Sequence, residues 1–441
     1  MIDRVGQGRL ILAGLAGTAV LAFVGAPQAV EMLTVVGPDK PGLAGTQLAV
    51  AAAGAIATAV AILLSRRWPV LLATGAVGVL AGLLIQDPAG LLFNARVFLP
   101  DDPGTPQAPV PAGVGMLLMA AAGLLLVGLF GVARELLRTG RVGASLAGLV
   151  GAAGYFGVAV IGPLATAGTA ARLGVAGLAA ALTVVAAIRS PAVAPAVSER
   201  GWRIRYVAAG VVLVSVLPTL VVALSGDVLF GTVTGGVTGL VVLAAAVGAS
   251  APAGRDAMLA VGATGLVLAA PVVTLLLIRD GVAGEVWYAW PIALAGVLTG
   301  AAVAARRWPA AGVVAVAAVP MLLLGLGFAD VDEPAGETIV WVFLYLSMAA
   351  VAATVGTAAT RFGGAVPAFG ALATVAGVGA HGALSLFRIG PGGTADLEKT
   401  VGPTGYVIGA VLLATAAALL LVPRERSRTA AEPVDRTARP R

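Results

Sequence analysis

The chain has 441 residues, of which 59% are hydrophobic and only 11% are charged, and its formal net charge is +6. Soluble domains are about half apolar and about a quarter charged, so this composition excludes an ordinary soluble domain and predicts an integral membrane protein. The sequence contains no cysteine, which excludes disulfide bonds and thiolate metal sites.

Apolar runs recur along the whole chain. A helix rises about 1.5 Å per residue, so about 20 residues cross a hydrocarbon core of about 30 Å. The first run could pass for a signal peptide, but Pro27 directly after the candidate cleavage point argues against its removal. We predict an all-α polytopic membrane protein with about fourteen transmembrane helices, at 8–26, 44–64, 69–86, 112–133, 143–162, 171–188, 206–225, 230–250, 257–278, 288–304, 310–328, 338–359, 365–387 and 403–422.

Charged residues set the orientation of these spans. With a cytoplasmic N-terminus, the cytoplasmic segments hold 21 of the 27 Lys and Arg residues, and the outer segments hold 14 of the 21 acidic residues. The two faces then carry +14 and −8, as the positive-inside rule requires. We therefore predict that both termini are cytoplasmic and that the protein lies in a plasma membrane of the bacterial type. We expect the protein to contact the lipid bilayer. We attribute its basic charge to the cytoplasmic face and not to the binding of nucleic acid.

The word Arg-Arg-Trp-Pro occurs twice, at 66–69 and at 306–309. Each copy lies in a very short gap between two predicted spans. Paired Arg residues enter hydrocarbon only at high cost, Trp favours the headgroup level, and Pro is tolerated in the first turn of a helix. We predict that Arg66, Arg67, Arg306 and Arg307 mark two tight cytoplasmic turns.

The positions of the two words predict an internal repeat. The second copy follows the tenth span and the first follows the second span, so the displacement is eight helices. Two six-helix halves of the same topology, separated by one extra hairpin, produce that displacement, and parallel repeats of this kind are a transporter architecture. The predicted domains are an N-terminal half (1–188), a linker with the extra helix pair (189–256), a C-terminal half (257–422) and a disordered basic tail (423–441).

This organisation resembles the fourteen-helix branch of the major facilitator superfamily. Halves of that family repeat in this way, and a short basic loop follows the second helix of each half. The pairs 66–67 and 306–307 match the basic residues that end its loop motif, whereas Ile62 and Ala302 stand at the acidic position of the motif. The resemblance implies a secondary transporter.

A second motif lies in the fifth span, "GYFGVAVIGPLATAG". Gly162 and Pro163 match the Gly-Pro core of the fifth helix in the antiporter subgroups of the same family. Thr166 and Ala167 stand where that motif has paired glycines.

Few ionisable groups lie inside the predicted spans. Every Asp and Glu falls in a loop or at a helix end, which argues against a simple proton antiporter with a buried carboxylate. His381, the single histidine, lies two helical turns before Arg388, so both can share one face of the thirteenth span. Both are candidates for the substrate path, although a packed histidine that bonds to backbone is the more ordinary interpretation. Gln47, Tyr155 and Tyr345 are the other polar candidates.

Prolines inside the spans are candidate hinges, because a Pro removes one backbone hydrogen bond and can kink a helix. The candidates are Pro163, Pro218, Pro271 and Pro320. Proline is common in membrane helices, so a structural role is the alternative.

The sequence favours transport over catalysis. One His and no Cys offer no metal cluster, and no Gly-rich phosphate loop occurs, so neither a metal nor a cofactor is predicted. Glu31 and Asp39 in the first outer loop leave a membrane-embedded glycosyltransferase open, but the small outer loops disfavour it. We predict a multi-pass permease that is not an enzyme and moves an unidentified small or amphipathic solute by alternating access. The alternative is a non-transporting scaffold or subunit that packs against a membrane partner.

Overall fold

A computed structural model describes the parts of the chain that form its best-defined helices. The described residues are 4–24, 41–86, 112–137, 169–189, 209–210, 243–244, 247–248, 251, 255–256, 258–267, 289–304, 306–328, 333–361 and 397–423. Within these ranges all regular structure is helical and no strand occurs, which agrees with the predicted all-α class.

Nine longer helices are bounded within the described ranges: α1 Arg4–Val24, α2 Pro41–Leu63, α3 Trp68–Gln86, α4 Ala112–Leu137, α5 Thr169–Ile188, α6 Ala289–Val303, α7 Arg307–Gly325, α8 Pro334–Arg361 and α9 Leu397–Leu421. A 3-10 turn, Ser65–Arg67, joins α2 to α3, and a shorter apolar helix covers Met258–Val267. Each of these helices overlaps one predicted span. The predicted spans 143–162 and 365–387 lie outside the described residues, as do most of 206–225 and 230–250, so the total of fourteen stays a prediction.

Length and composition make several of these helices suitable for a bilayer. The described stretches 65–85, 307–325 and 334–354 are long and apolar enough to cross a membrane, and five shorter apolar helices accompany them. Both faces of such a helix are apolar: α3 buries Leu72 and Val79 while Val70 and Val77 are exposed. A helix that is hydrophobic all round belongs in a large core or in a membrane.

The helices pack in two groups. In the N-terminal group, α1 contacts α3, α4 and α5, α3 contacts α4 and α5, and α2 lies on α4. In the C-terminal group, α7 and α8 pack together, α6 lies on α8 and α9 lies on α7. The pairing repeats between the groups, because α3–α4, α2–α4 and α3–α5 have the counterparts α7–α8, α6–α8 and α7–α9. Helices α4 and α8, which hold equivalent places, also contact each other.

Small residues set the separation of α3 and α4. A Cβ added at Gly75 would lie 2.5 Å from the backbone nitrogen of Leu125, and one added at Gly128 would lie 2.7 Å from the Cα of Leu72. The two antiparallel backbones therefore nearly touch, as membrane helices do where glycine removes the side chain. The α3–α4 contact is therefore a tightly packed part of the N-terminal group.

Candidate transport site and the two arginine turns

The first Arg-Arg-Trp-Pro word lies at the junction of α2 and α3. Arg66 and Arg67 are exposed, whereas Trp68 is only 2% exposed. Trp68 is buried because α4 presents Gly131 to it, where any Cβ would overlap the indole side chain. The Trp of this turn therefore locks α3 to α4 and does not face lipid headgroups.

A buried carboxylate lies next to this turn. The pairs Gly82–Leu118, Gly75–Leu125 and Trp68–Gly131 define the antiparallel register of α3 and α4. Continued by one turn, that register brings Ser65 level with Glu135, and both side chains are 2% exposed.

Sequence reasoning missed the burial of Glu135. The predicted fourth span ended at 133, before the charged residues, but α4 continues to Leu137 and carries the carboxylate inside its last turn. The spacing of Glu135 one turn after Gly131, on the face that packs against α3, is the signal that could have revealed it. The Nε1 atom of Trp68 is also buried and has no hydrogen-bond partner among the described residues.

The second word lies at the junction of α6 and α7. The backbone N–H of Arg306 donates to the carbonyl of Val303 at 3.0 Å, which closes the turn. Thr357 Oγ1 on α8 donates to the carbonyl of Ala304 at 2.7 Å, and this bond is buried. Arg306 is exposed and Arg307 is half-buried. A hydroxyl from α8 thus holds the end of α6 beside the arginine pair.

The pattern of buried positions in α3 recurs in α7 at positions 242 residues later, whereas the four-residue word recurs 240 residues later. The inward positions of α3 are Trp68, Leu72, Gly75, Val79 and Gly82, and those of α7 are Ala310, Val314, Ala317, Met321 and Leu324. Trp308 therefore falls on the outward face and is 77% exposed. The residue 242 positions before Trp308 is Arg66, which is also exposed.

Tyr345 is the one path candidate whose side chain the structure describes. It is half-buried on α8, and its ring stacks on that of Trp341 with 6.0 Å between centroids and 24° between planes. A Cβ at Gly296 of α6 would lie 2.7 Å from the Tyr345 carbonyl oxygen, so the two backbones are in close contact there. Tyr155, His381 and Arg388 lie outside the described residues, and so does the side chain of Gln47, whose backbone is part of α2.

Pro320 is the one hinge candidate within the described ranges. It is buried inside α7, next to Met321, whose sulfur packs against Gly409 of α9. Because Pro320 has no N–H, the carbonyl of Val316 receives no hydrogen bond from it. Pro163, Pro218 and Pro271 lie outside the described residues.

Most buried hydroxyls of the described helices bond within their own helix. Thr18, Thr183 and Thr264 each donate to the carbonyl four residues earlier, at 2.7, 2.7 and 2.8 Å. Thr354 does the same at 2.7 Å. In the part of the chain that the structure describes, no group of His, Asp and Glu is arranged to hold a metal ion. Thr357 differs, because its hydroxyl bonds between helices.

Helical groups that repeat the same pairing occur in transporter folds that are built from internal repeats. Two solved structures share the fold of this chain. The proton:xylose symporter XylE bound to 6-bromo-6-deoxy-D-glucose is similar with a TM-score of 0.55 and 13% identity, over 96% of this chain and 97% of that chain. The E. coli fucose:proton symporter FucP is similar with a TM-score of 0.50 and 13% identity, over 94% and 97%.

The chain therefore has the fold of the major facilitator superfamily, which confirms that part of the resemblance at the level of the fold. The fourteen-helix branch stays a prediction. No protein-family model matches the sequence, and no curated protein matches it either.

Proposed function

We propose that the protein is a secondary transporter that moves a small or amphipathic solute by rocking two six-helix halves, 1–188 and 257–422, against each other. The repeated pairing of α3–α4 with α7–α8, with α4 touching α8, is the observation that carries this proposal. Two groups with equivalent pairing that touch through equivalent helices can rock against each other as rigid bodies, which is how transporters built from repeats alternate their access. The extra helix pair falls in 189–256, and the membrane is a plasma membrane with both termini inside.

Tyr345 supports the proposed class of solute. Its side chain combines an apolar ring with a hydroxyl, so it can contact both parts of an amphipathic molecule. It lies on α8, the helix of the C-terminal group that contacts α4. The similar symporters carry xylose and fucose with protons, according to their names. For this chain a sugar-sized solute is the first class to test, with His381 as the candidate proton carrier.

Pulsed electron paramagnetic resonance can test the rocking motion in a chain that has no native cysteine. Nitroxide labels at R66C and A302C report the distance between the two groups, since both positions are exposed near the two turns. A control pair at R66C and I188C lies within the N-terminal group, where both positions are also exposed.

A transporter gives a broad or two-component distribution between the groups and a narrow one within the N-terminal group. A rigid scaffold, the alternative function, gives equally narrow distributions for both pairs. That second result would overturn the proposal.

A further inference from the structure

The outward face of α7 carries five exposed large apolar side chains, and the small residues Gly312 and Ala315 lie between the first of them and the other four. Trp308, Val316, Val319, Leu322 and Leu326 are all exposed and recur at helical spacing, and we name this row the α7 stripe. In a helix that crosses a bilayer, such a row lies against acyl chains. Trp308 stands at the end of the stripe where the arginine turn begins.

The end of the α7 stripe changes from apolar to basic within two residues. Arg306 is exposed and precedes the helix with an extended backbone (φ −112°, ψ 128°), two residues before Trp308, whose indole has an apolar ring and an N–H donor. Because Arg306 lies outside the helix, the turn of about 200° between two helical positions does not hold its side chain on the opposite face. A guanidinium forms strong bidentate bonds with phosphate, and indole rings favour the headgroup level. Charge and polarity along this edge therefore complement a phospholipid, with its phosphate at Arg306 and its chains along the stripe.

We propose that the second arginine turn binds the headgroup phosphate of an anionic phospholipid through the guanidinium of Arg306 and the indole N–H of Trp308. The first turn does not form this site, although it has the same four residues. Trp68 is buried against Gly131, so its indole is not available to lipid. The proposal rests on the membrane placement of α7 in the proposed function, but it does not require that the protein transports a solute.

Fluorescence quenching by brominated lipids tests the site without a substrate. The full chain and W308F are reconstituted in phosphatidylcholine vesicles that contain rising fractions of phosphatidylcholine or phosphatidylglycerol, each dibrominated near the headgroup end of its acyl chains. The difference between the two proteins isolates Trp308 from the other five tryptophans. The same difference, with and without W308F, is measured in a protein that carries R306Q. It is also measured in a protein that carries R66Q, the matched control at the first turn.

We expect brominated phosphatidylglycerol to quench Trp308 at about five-fold lower lipid fraction than brominated phosphatidylcholine, the preference expected for one arginine near a membrane surface. In R306Q the preference should fall towards one, and in R66Q it should persist. Equal quenching by both lipids in the unmodified chain would overturn the proposal, because Trp308 would then meet only unselected lipid.

Two other results would also overturn it. A loss of preference in R66Q as large as in R306Q would indicate general surface charge. No quenching by either lipid would mean that protein, such as a second copy of the chain, covers Trp308. None of these results bears on whether the two groups rock.

Discussion

Trp68 and Trp308 occupy the same place in the same four-residue word, yet Trp68 is 2% exposed and Trp308 is 77% exposed. The inward face of α3 begins at Trp68, the third residue of its word, whereas the inward face of α7 begins two residues later, at Ala310, directly after its word. Two residues turn about 200° around a helix, which moves the Trp to the opposite face. The word therefore marks two helix junctions, while each helix packs in its own register.

This difference predicts that the same substitution has a large effect on stability at one position and almost none at the other. W68A removes a ring that fills the α3–α4 contact, so the protein should lose about 3 kcal/mol of stability. W308A removes an exposed ring, and its effect should stay within about 0.5 kcal/mol. The measurement is the temperature at which half of the protein leaves the monodisperse peak in size-exclusion chromatography. Equal losses for both variants would contradict the assignment of faces.

Two glycine-to-alanine substitutions test the close contact of α3 and α4. G128A places a methyl group about 2.7 Å from the backbone of Leu72, so the helices must separate and stability should fall by about 1 to 3 kcal/mol. G312A is the matched control, since nothing lies within 4 Å of its added Cβ. There alanine favours the helix by up to about 1 kcal/mol, so the chain should be stabilised or unchanged. The same heating assay measures both variants. A G128A protein as stable as G312A would contradict the close contact of α3 and α4.

The hydrogen bond from Thr357 to Ala304 can be removed with little change of shape. T357V leaves the carbonyl of Ala304 without this donor, and interhelical bonds in membranes contribute about 0.6 kcal/mol on average. T415V is the control, because Thr415 is exposed and donates to the carbonyl of Val411 in its own helix. We expect T357V to melt measurably below T415V in the heating assay. Identical melting temperatures would show that the bond does not hold α6 to α8.

Pro320 distinguishes a hinge from a structural proline. P320A restores the missing N–H beneath the carbonyl of Val316, which should straighten and stiffen α7. If Pro320 is a hinge, the variant should be at least as stable, but the distance distribution between labels at R66C and A302C should become narrower. An unchanged distribution together with unchanged stability would remove Pro320 from the hinge candidates.

The membrane class and the approximate positions of the described helices could be predicted from the sequence because apolar length decides them. The third predicted span, 69–86, matches α3 to within one residue, since Pro69 fixes the start of a helix. The predicted end of the fourth span, at 133, was four residues too early. The prediction stopped at the first charged residue, Arg134, because charge does not enter hydrocarbon, whereas the helix itself continues to Leu137.

The sequence did not indicate which face of each helix packs against the other helices. A helix that is apolar all round has no polar stripe to show which side is inside, so the opposite placement of Trp68 and Trp308 and the burial of Glu135 required the structure. Tyr345 could be named as a polar residue in an apolar span, but its stacking on Trp341 depends on packing. The other path candidates, Gln47, Tyr155, His381 and Arg388, stay predictions.

The central claim is that a solute path opens alternately to the two sides of the membrane. Single cysteines at Tyr345 and His381 can be labelled with a membrane-impermeant thiol reagent in intact cells and in inside-out vesicles, because the chain has no native cysteine. R66C at the exposed first turn and T105C in the predicted outer loop are the one-sided controls. The account predicts that Y345C or H381C reacts from both sides while each control reacts from one. If both path positions stay unlabelled from either side while the controls react, the path is absent and a scaffold role replaces transport.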